Sequence, residues 1–246
     1  MSSSTFRPSL LEVSLVPPLS KGRLERDGLI EVVGIWSHLA CADEPGHPVS
    51  DAQREAFETA LAAAALAGLR PRWRHLANSA AALTRPDLRY DLVRCGLATY
   101  GVNPLAHQAA PADLRPAMRV VATVAHVKSA PEGVGVSYGH TYRTKRPTRL
   151  AIVPLGYADG VPMIPPGCAP VGFDGASLTI AGRVCMDQLV LDVGDTDVSP
   201  GDEVVLLGPG DHGEHTVEEW AAVSGRSPYE ILTGTGRRRV PPVWLH

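Results

Sequence analysis

The sequence predicts a two-part chain: an α/β segment of parallel strand–helix units over residues 1–110, then an all-β domain over residues 111–246. Two observations carry this. Residues 10–110 alternate strand-like and helix-like runs joined by short links, the pattern of parallel βα units. From Pro111 onward, strand-like runs are separated by Gly, Pro and Asp turns, which is an all-β texture. The change falls near residues 108–116 and sets the domain boundary there.

Leu10–Val16 alternates and is β-branched enough to read as a strand, ended by Pro17-Pro18. Leu29–Trp36 is a near-continuous apolar run, the mark of a strand covered on both faces. Ser50 opens a helix by its capping-box spacing to Gln53, with Phe57, Leu61, Ala64, Ala65 and Gly68 on one stripe. Gly68 and Pro71 stop that helix. Arg72–Leu76 follows as a short strand, Asn78-Ser79 opens a helical turn, and Tyr90–Cys95 reads as another strand. Beyond the boundary, Arg119–Lys128, Arg149–Pro154, Ser177–Ile180, Leu189–Val193 and Glu203–Leu207 read as strands. Thr216 to Glu219 repeats the capping-box spacing and starts a short helix ending at Gly225.

Composition narrows the partners. A net charge of −3 argues against a nucleic-acid or membrane-surface partner, and 5% aromatic content leaves few stacking platforms. The alanine-rich run around Ala60–Leu69 is too short to span a bilayer, and the N-terminus lacks the apolar core of a secretory signal. Cys41, Cys95, Cys168 and Cys185 show neither zinc-ribbon nor disulfide spacing, which points to a reducing cytoplasm. His212 and His215 read as part of a solvated loop rather than a metal site. Asp192–Asp197 lacks the glycine and glutamate spacing of a calcium loop and reads as a turn.

In parallel βα units ligands bind beyond the carboxyl ends of the strands. His38, Asn78-Ser79, and Arg94 with Gly96-Leu97 fall at three such ends. Ser79 reads either as a helix cap or, with amides at Gly96 and Leu97, as part of a phosphate cradle. Arg94 reads either as half of an internal ion pair or as a ligand contact, and His38 either as a packed histidine or as part of a site. In the β half, Val136-Ser137-Tyr138-Gly139 places a phenol at a turn, where it either packs on a sheet or meets a substrate.

These pieces, taken in order, resemble the alanine racemase family. They are Gly34-Ile35-Trp36-Ser37-His38, His75-Leu76-Ala77-Asn78-Ser79-Ala80, Val93-Arg94-Cys95-Gly96-Leu97 and Val136-Ser137-Tyr138-Gly139, followed by Gly156-Tyr157-Ala158-Asp159-Gly160, Gly182-Arg183-Val184-Cys185-Met186-Asp187-Gln188 and Tyr229-Glu230-Ile231. The resemblance covers about residues 28–240. It implies a half (TIM-type) α/β barrel followed by a C-terminal β-domain, a cytoplasmic head-to-tail homodimer, and pyridoxal 5′-phosphate as cofactor. The implied reaction interconverts L- and D-alanine for the cell wall. By the same resemblance Tyr138 is the base on one face of the substrate, His38 bonds that tyrosine, and Arg94 touches the pyridine nitrogen. Asn78, Ser79, Gly96, Leu97 and Tyr229 hold the cofactor, Tyr157 and Met186 the substrate, and Asp43 and Arg183 border the access channel.

The sequence departs from the family in one large respect. Its lysines are Lys21, Lys128 and Lys145, and none lies in the Lys-Ala-Asn-Ala-Tyr-Gly type of segment that holds the cofactor. Met163 and Pro242 stand where the family usually has arginine. The expectation is a truncated or split racemase that needs a complementing N-terminal half. Open strand edges at Leu10–Val16 and Tyr90–Cys95 predict poor solubility alone, domain swapping or rescue by a partner. Two alternatives stay open: a non-catalytic binding or assembly module derived from a racemase, and a racemase of another amino acid that uses a lysine outside the family motif, with Lys21 the candidate near a strand end.

Overall fold

A computed structural model describes residues 18–105 and 108–236. The expected strand Leu10–Val16, Arg237–Arg239 and Pro242 lie outside the described residues. The chain forms two units: residues to Thr99 with Asn103–Leu114, and Tyr100–Val102 with Arg115 onward.

The first unit runs α1 (Pro18–Arg26), β1 (Gly34–Trp36), α2 (Pro48–Leu66), β2 (Trp73–His75) and α3 (Ser79–Thr84). β1 and β2 pair in parallel, Gly34 against Trp73 through Trp36 against His75. The strand expected over Leu29–Trp36 is therefore only its last three residues. Leu29, Ile30, Val33 and Trp36 are exposed instead of covered on both faces. The reason is local: α1 takes the donors that a strand would use, with Leu29 N–H bonding Leu24 O and Val32 N–H bonding the Glu25 carboxylate.

α2 starts two residues before the expected cap. His47 is its N-cap, with Pro48 in the first turn and the imidazole Nδ1 accepting from Val49 N–H. The Ser50–Gln53 box is not formed. Ser50 donates to Cys41 O, and buried Gln53 accepts from Ala40 N–H and donates to His38 O. Phe57 and Ala64 face the core, but Ala65 and Gly68 of the expected stripe are exposed. Gly68 ends the helix in a left-handed conformation, φ +86°. Phe57, Leu76, Ala77, Ala80, Ala81 and Leu88 make the core, and Tyr90 meets Phe57 edge-on at 5.1 Å. Burying each large apolar side chain stabilises by about 1.5–3 kcal/mol.

Tyr90–Cys95 is not a strand. Tyr90 has φ +47°, Asp91 is held by the Arg74 amide and guanidinium, and only Arg94 bridges, in parallel, to Asn78. The carboxylate–guanidinium pair adds to two backbone bonds, Asp91 N–H to Arg74 O and Arg94 N–H to Ala77 O, which are too few for a regular ladder.

The second unit is built on a seven-stranded antiparallel sheet in the order β3-β11-β8-β9-β10-β7-β4. Its strands are β3 (Val120–Thr123), β4 (His126–Ala130), β7 (Thr148–Val153), β8 (Pro170–Phe173), β9 (Ala176–Ile180), β10 (Leu189–Asp192) and β11 (Glu203–Leu207). The run expected over Arg119–Lys128 is two strands. Val124 N–H bonds Asp202 O on the β11 side, and Ala125 N–H bonds Ile152 O on the β7 side. The chain thus steps from one edge of the sheet to the other within two residues, and the sheet curls round on itself. β3 and β4 thereby end the sheet as consecutive strands joined by a single short step.

A small hairpin, β5 (Gly135–Val136) with β6 (Tyr142–Arg143), flanks the Tyr138 turn. α4 (Val217–Ser224) forms as expected, with the reciprocal Thr216–Glu219 box and Gly225 at its end. Its Trp220 is buried and donates Nε1–H to Leu206 O at 2.7 Å. α5 (Pro228–Gly234) carries a second box, Ser227–Glu230.

Candidate active site

In the first unit the polar groups gather on Arg94. One terminal nitrogen lies 2.7 Å from His75 Nδ1 and 3.2 Å from His75 O. The other donates to Ser37 O at 2.7 Å and lies 3.2 Å from His38 Nδ1. An arginine only donates, so both histidines accept at Nδ1, and when neutral each carries its proton on Nε2. The guanidinium also sits 5.0 Å over the Trp36 ring, which stacks on His75 at 6.1 Å. Burial, then the Arg94 charge, push the His75 pKa below its ordinary value, and burial lowers that of Arg94. Arg94 Nε–H makes no hydrogen bond among the described residues.

Asn78 and Ser79 divide the work differently from the sequence reading. Asn78, not Ser79, caps α3 by accepting from Ala81 N–H. Buried Ser79 Oγ accepts from Gly96 N–H at 2.8 Å and Ala98 N–H at 3.3 Å. The Gly96 amide is therefore already bound, and the proton available from this group is the Ser79 hydroxyl's. Leu97 opens a short 3-10 turn over Leu97–Tyr100. Arg94 and Gly96 follow an isolated bridge rather than a strand, so only two of the three expected strand ends are strand ends. Asp43 is exposed on the loop after β1 and makes no bond to the Arg94 group.

In the second unit three segments are knotted together. Tyr138 lies on a 3-10 turn, exposed, between Ser137 at φ +60° and Gly139 at φ +72°. Ser137 Oγ donates to Arg183 O at 2.7 Å and lies 3.3 Å from Cys185 Sγ. Tyr157 N–H bonds Cys185 O, and Ala158 N–H bonds Met186 O. A Cβ at Gly156 would strike the Cys185 and Met186 carbonyls, so only glycine fits. Met186 N–H has no partner among the described residues. Tyr229 is exposed on α5, whose far end is tied to the same knot by Gly236 N–H bonding Asp159 O.

The structure thus brings His38 to Arg94, Ser79 to Gly96, and Tyr138, Tyr157, Arg183 and Met186 into one knot. Sequence reasoning missed His75, Gln53 and Ser137. His75 ends β2, inside the run expected over Arg72–Leu76 and three residues before Asn78, and that closeness to a strand end is the available signal.

An α/β unit with an arginine–histidine cluster at its strand ends, followed by a β-domain that presents a tyrosine turn, defines the class: a barrel-type α/β unit joined to a β-domain. Residues 20–104 match the family description "Alanine racemase, N-terminal domain" and residues 117–244 "Alanine racemase, C-terminal domain". The alanine racemase of Salinispora arenicola is 50% identical over 250 residues, covering 96% of this chain and 67% of that protein. The structure of alanine racemase from D-cycloserine-producing Streptomyces lavendulae aligns with TM-score 0.88 at 48% identity, covering 93% of this chain and 60% of that one. That of Bartonella henselae, with covalently bound pyridoxal phosphate, aligns with TM-score 0.74 at 34% identity, covering 89% and 59%.

The chain belongs to the alanine racemase family, and its fold is a partial α/β barrel plus the family's β-domain. It spans about three-fifths of the length of these two solved relatives.

Proposed function

We propose that this chain contributes the tyrosine-bearing part of an alanine racemase active site, which interconverts L- and D-alanine with pyridoxal phosphate. The α/β part (residues 1–110) supplies the cofactor contacts and the β-domain (residues 111–246) supplies Tyr138 and the substrate contacts. The observation that carries this is Arg94. Its terminal nitrogens are spent on two carbonyls and two imidazoles, which leaves Nε–H as the donor for a ring nitrogen.

The residues present fit the cofactor. Ser79 Oγ gathers the Gly96 and Ala98 amides and keeps its own proton for a phosphate oxygen, and the family resemblance assigns Asn78, Gly96, Leu97 and Tyr229 to the same cofactor. Arginine does not readily give up its proton, so Arg94 leaves a facing pyridine nitrogen unprotonated and limits side reactions such as transamination. Bound cofactor supplies the electron sink that acidifies the substrate Cα–H. Tyr138 takes or returns that proton on one face. A phenol of pKa near ~10 is a weak base at neutral pH, and by the family resemblance His38 is the residue that bonds the tyrosine and tunes it. The free Met186 amide binds the substrate carboxylate, Tyr157 lines the pocket, and Asp43 and Arg183 border its access channel.

Support for a head-to-tail homodimer, with Tyr138 of one copy serving the cofactor of its partner, comes from the family resemblance. The four cysteines are free, which suits a reducing compartment, and we place the protein in the cytoplasm.

The test supplies the segment that the relatives carry beyond this chain. The chain is co-expressed with a polypeptide bearing a Lys-Ala-Asn-Ala-Tyr-Gly type segment, and pyridoxal phosphate retention and D-alanine formation are measured. Retention with racemisation, cut roughly 10²–10⁴-fold by Tyr138→Phe, is expected. An assembled, cofactor-loaded complex that does not racemise alanine sinks the reading.

A further inference from the structure

Ser137 occupies a backbone conformation it should avoid. Its φ of +60° and ψ of −170° fall in a region populated almost only by glycine. Glycine would relieve the strain with no loss of backbone shape, so a serine held there points to its hydroxyl. That hydroxyl donates to Arg183 O at 2.7 Å and stands 3.3 Å from Cys185 Sγ. A hydroxyl has one proton. With that proton on Arg183 O, the Cys185 thiol has two acceptors, Ser137 Oγ at 3.3 Å and Arg183 O at 3.7 Å. The backbones are also in contact: a Cβ on Gly182, itself at φ +85°, would lie 2.6 Å from Val136 O and 2.8 Å from Ser137 Cβ. The loop so gripped runs on to Met186, whose carbonyl and that of Cys185 hold the Tyr157 turn.

We infer that Ser137 is a positioning residue for Tyr138: its hydroxyl clasps the tyrosine turn to the 182–188 loop and holds the phenol in register with the Met186 amide. This rests on the racemase reading for its catalytic meaning, but the clasp is tested without it.

The full chain is prepared as wild type, Ser137→Gly and Ser137→Ala. Tyrosine is ¹³Cζ-labelled, Tyr138 being assigned by Tyr138→Phe, and Cys185 alkylation by iodoacetamide is followed by peptide mapping. Ser137→Gly should unfold at or above the wild-type midpoint, because strain is relieved. Its Tyr138 resonance should nevertheless broaden or split, and Cys185 should alkylate about five- to tenfold faster, the change one lost net hydrogen bond permits. Ser137→Ala should show the same two signatures with a lower midpoint than Ser137→Gly. Unchanged tyrosine and thiol signals in Ser137→Gly overturn the clasp. In an assembled racemase, Ser137→Gly should lower kcat by on the order of tenfold to a hundredfold with KM for alanine little altered, and should shift the pH profile. Unaltered kcat and profile overturn the positioning role. Clasp signatures in a wild-type assembly that does not racemise uphold the clasp and reject the racemase reading instead.

Discussion

His75 ties the Arg94 cluster to pH. Its Nδ1 accepts from Arg94, so the folded chain needs it neutral, and burial and the adjacent charge lower its pKa. The unfolded chain takes up that proton near pH ~6.5. Between that value and the lower folded one the unfolded state holds more protons, so stability falls as pH drops through this window and levels off below it. Urea titrations from pH 8 to pH 5 should show this fall in wild type and a flatter curve in His75→Gln. A second loss is expected at lower pH, where Asp91, held at a pKa of about 2 by its hydrogen bond from Arg74, becomes protonated. That contribution is present above pH ~3.9 and disappears as pH falls toward the folded value. Arg94→Lys should be destabilising by about 1–3 kcal/mol at pH 8, because one ammonium cannot serve Ser37 O and His75 together.

At the scale of elements, two helices hold different things. α4 holds itself: Thr216 accepts from Glu219 N–H while Glu219 accepts from Thr216 N–H. Thr216→Ala should therefore cost about 1 kcal/mol in urea unfolding, with no effect on the Tyr138 turn. α2 holds the loop after β1. Buried Gln53 clamps His38 O and Ala40 N–H, so Gln53→Leu should remove both bonds at a cost of about 1–3 kcal/mol. It should also raise hydrogen exchange at Ala40. The same two helices show what the sequence made legible. The Thr216–Glu219 spacing was sufficient because a capping box is a local device, complete within four residues. The Ser50–Gln53 spacing misled because both side chains are drawn to the loop at 38–41, a tertiary demand that local spacing does not encode. The Glu203–Leu207 strand was legible from its apolar run. The strand expected at Tyr90–Cys95 is broken where Tyr90 turns at φ +47°, and only Asp91 and Arg94 keep backbone bonds to the β2 side, with the Arg74–Asp91 pair beside them. At the candidate site, the motifs point to Arg94, His38 and Tyr138, and the structure brings His38 to Arg94 and sets Tyr138 on an exposed turn. Ser137 was not legible, because a positive φ on serine leaves no trace in composition or period.

At the scale of the whole molecule the two units rest on different amounts of sheet. The second has seven strands, with Leu150, Val171, Leu189, Leu191 and Val204 buried between them and its edges joined through residues 124–125. The first has, among the described residues, two three-residue parallel strands and exposed Ile30, Val33 and Trp36 beside them. A two-stranded pair is marginal alone, and an exposed apolar edge invites another chain. Native-state hydrogen exchange should therefore protect the amides of β7, β10 and β11 far better than those of Gly34–Trp36 and Trp73–His75. Adding the polypeptide that bears the lysine segment should raise protection at Gly34–Trp36 and leave β10 and β11 unchanged, since β10 and β11 each lie between two paired strands while β1, among the described residues, pairs with β2 alone. Ile30→Lys with Val33→Lys should abolish that gain, and lower self-association of the chain, if this apolar edge is where the second polypeptide docks. Equal protection of the two sheets in the chain alone would show that the short parallel pair is stabilised by other contacts, and would move the docking surface elsewhere.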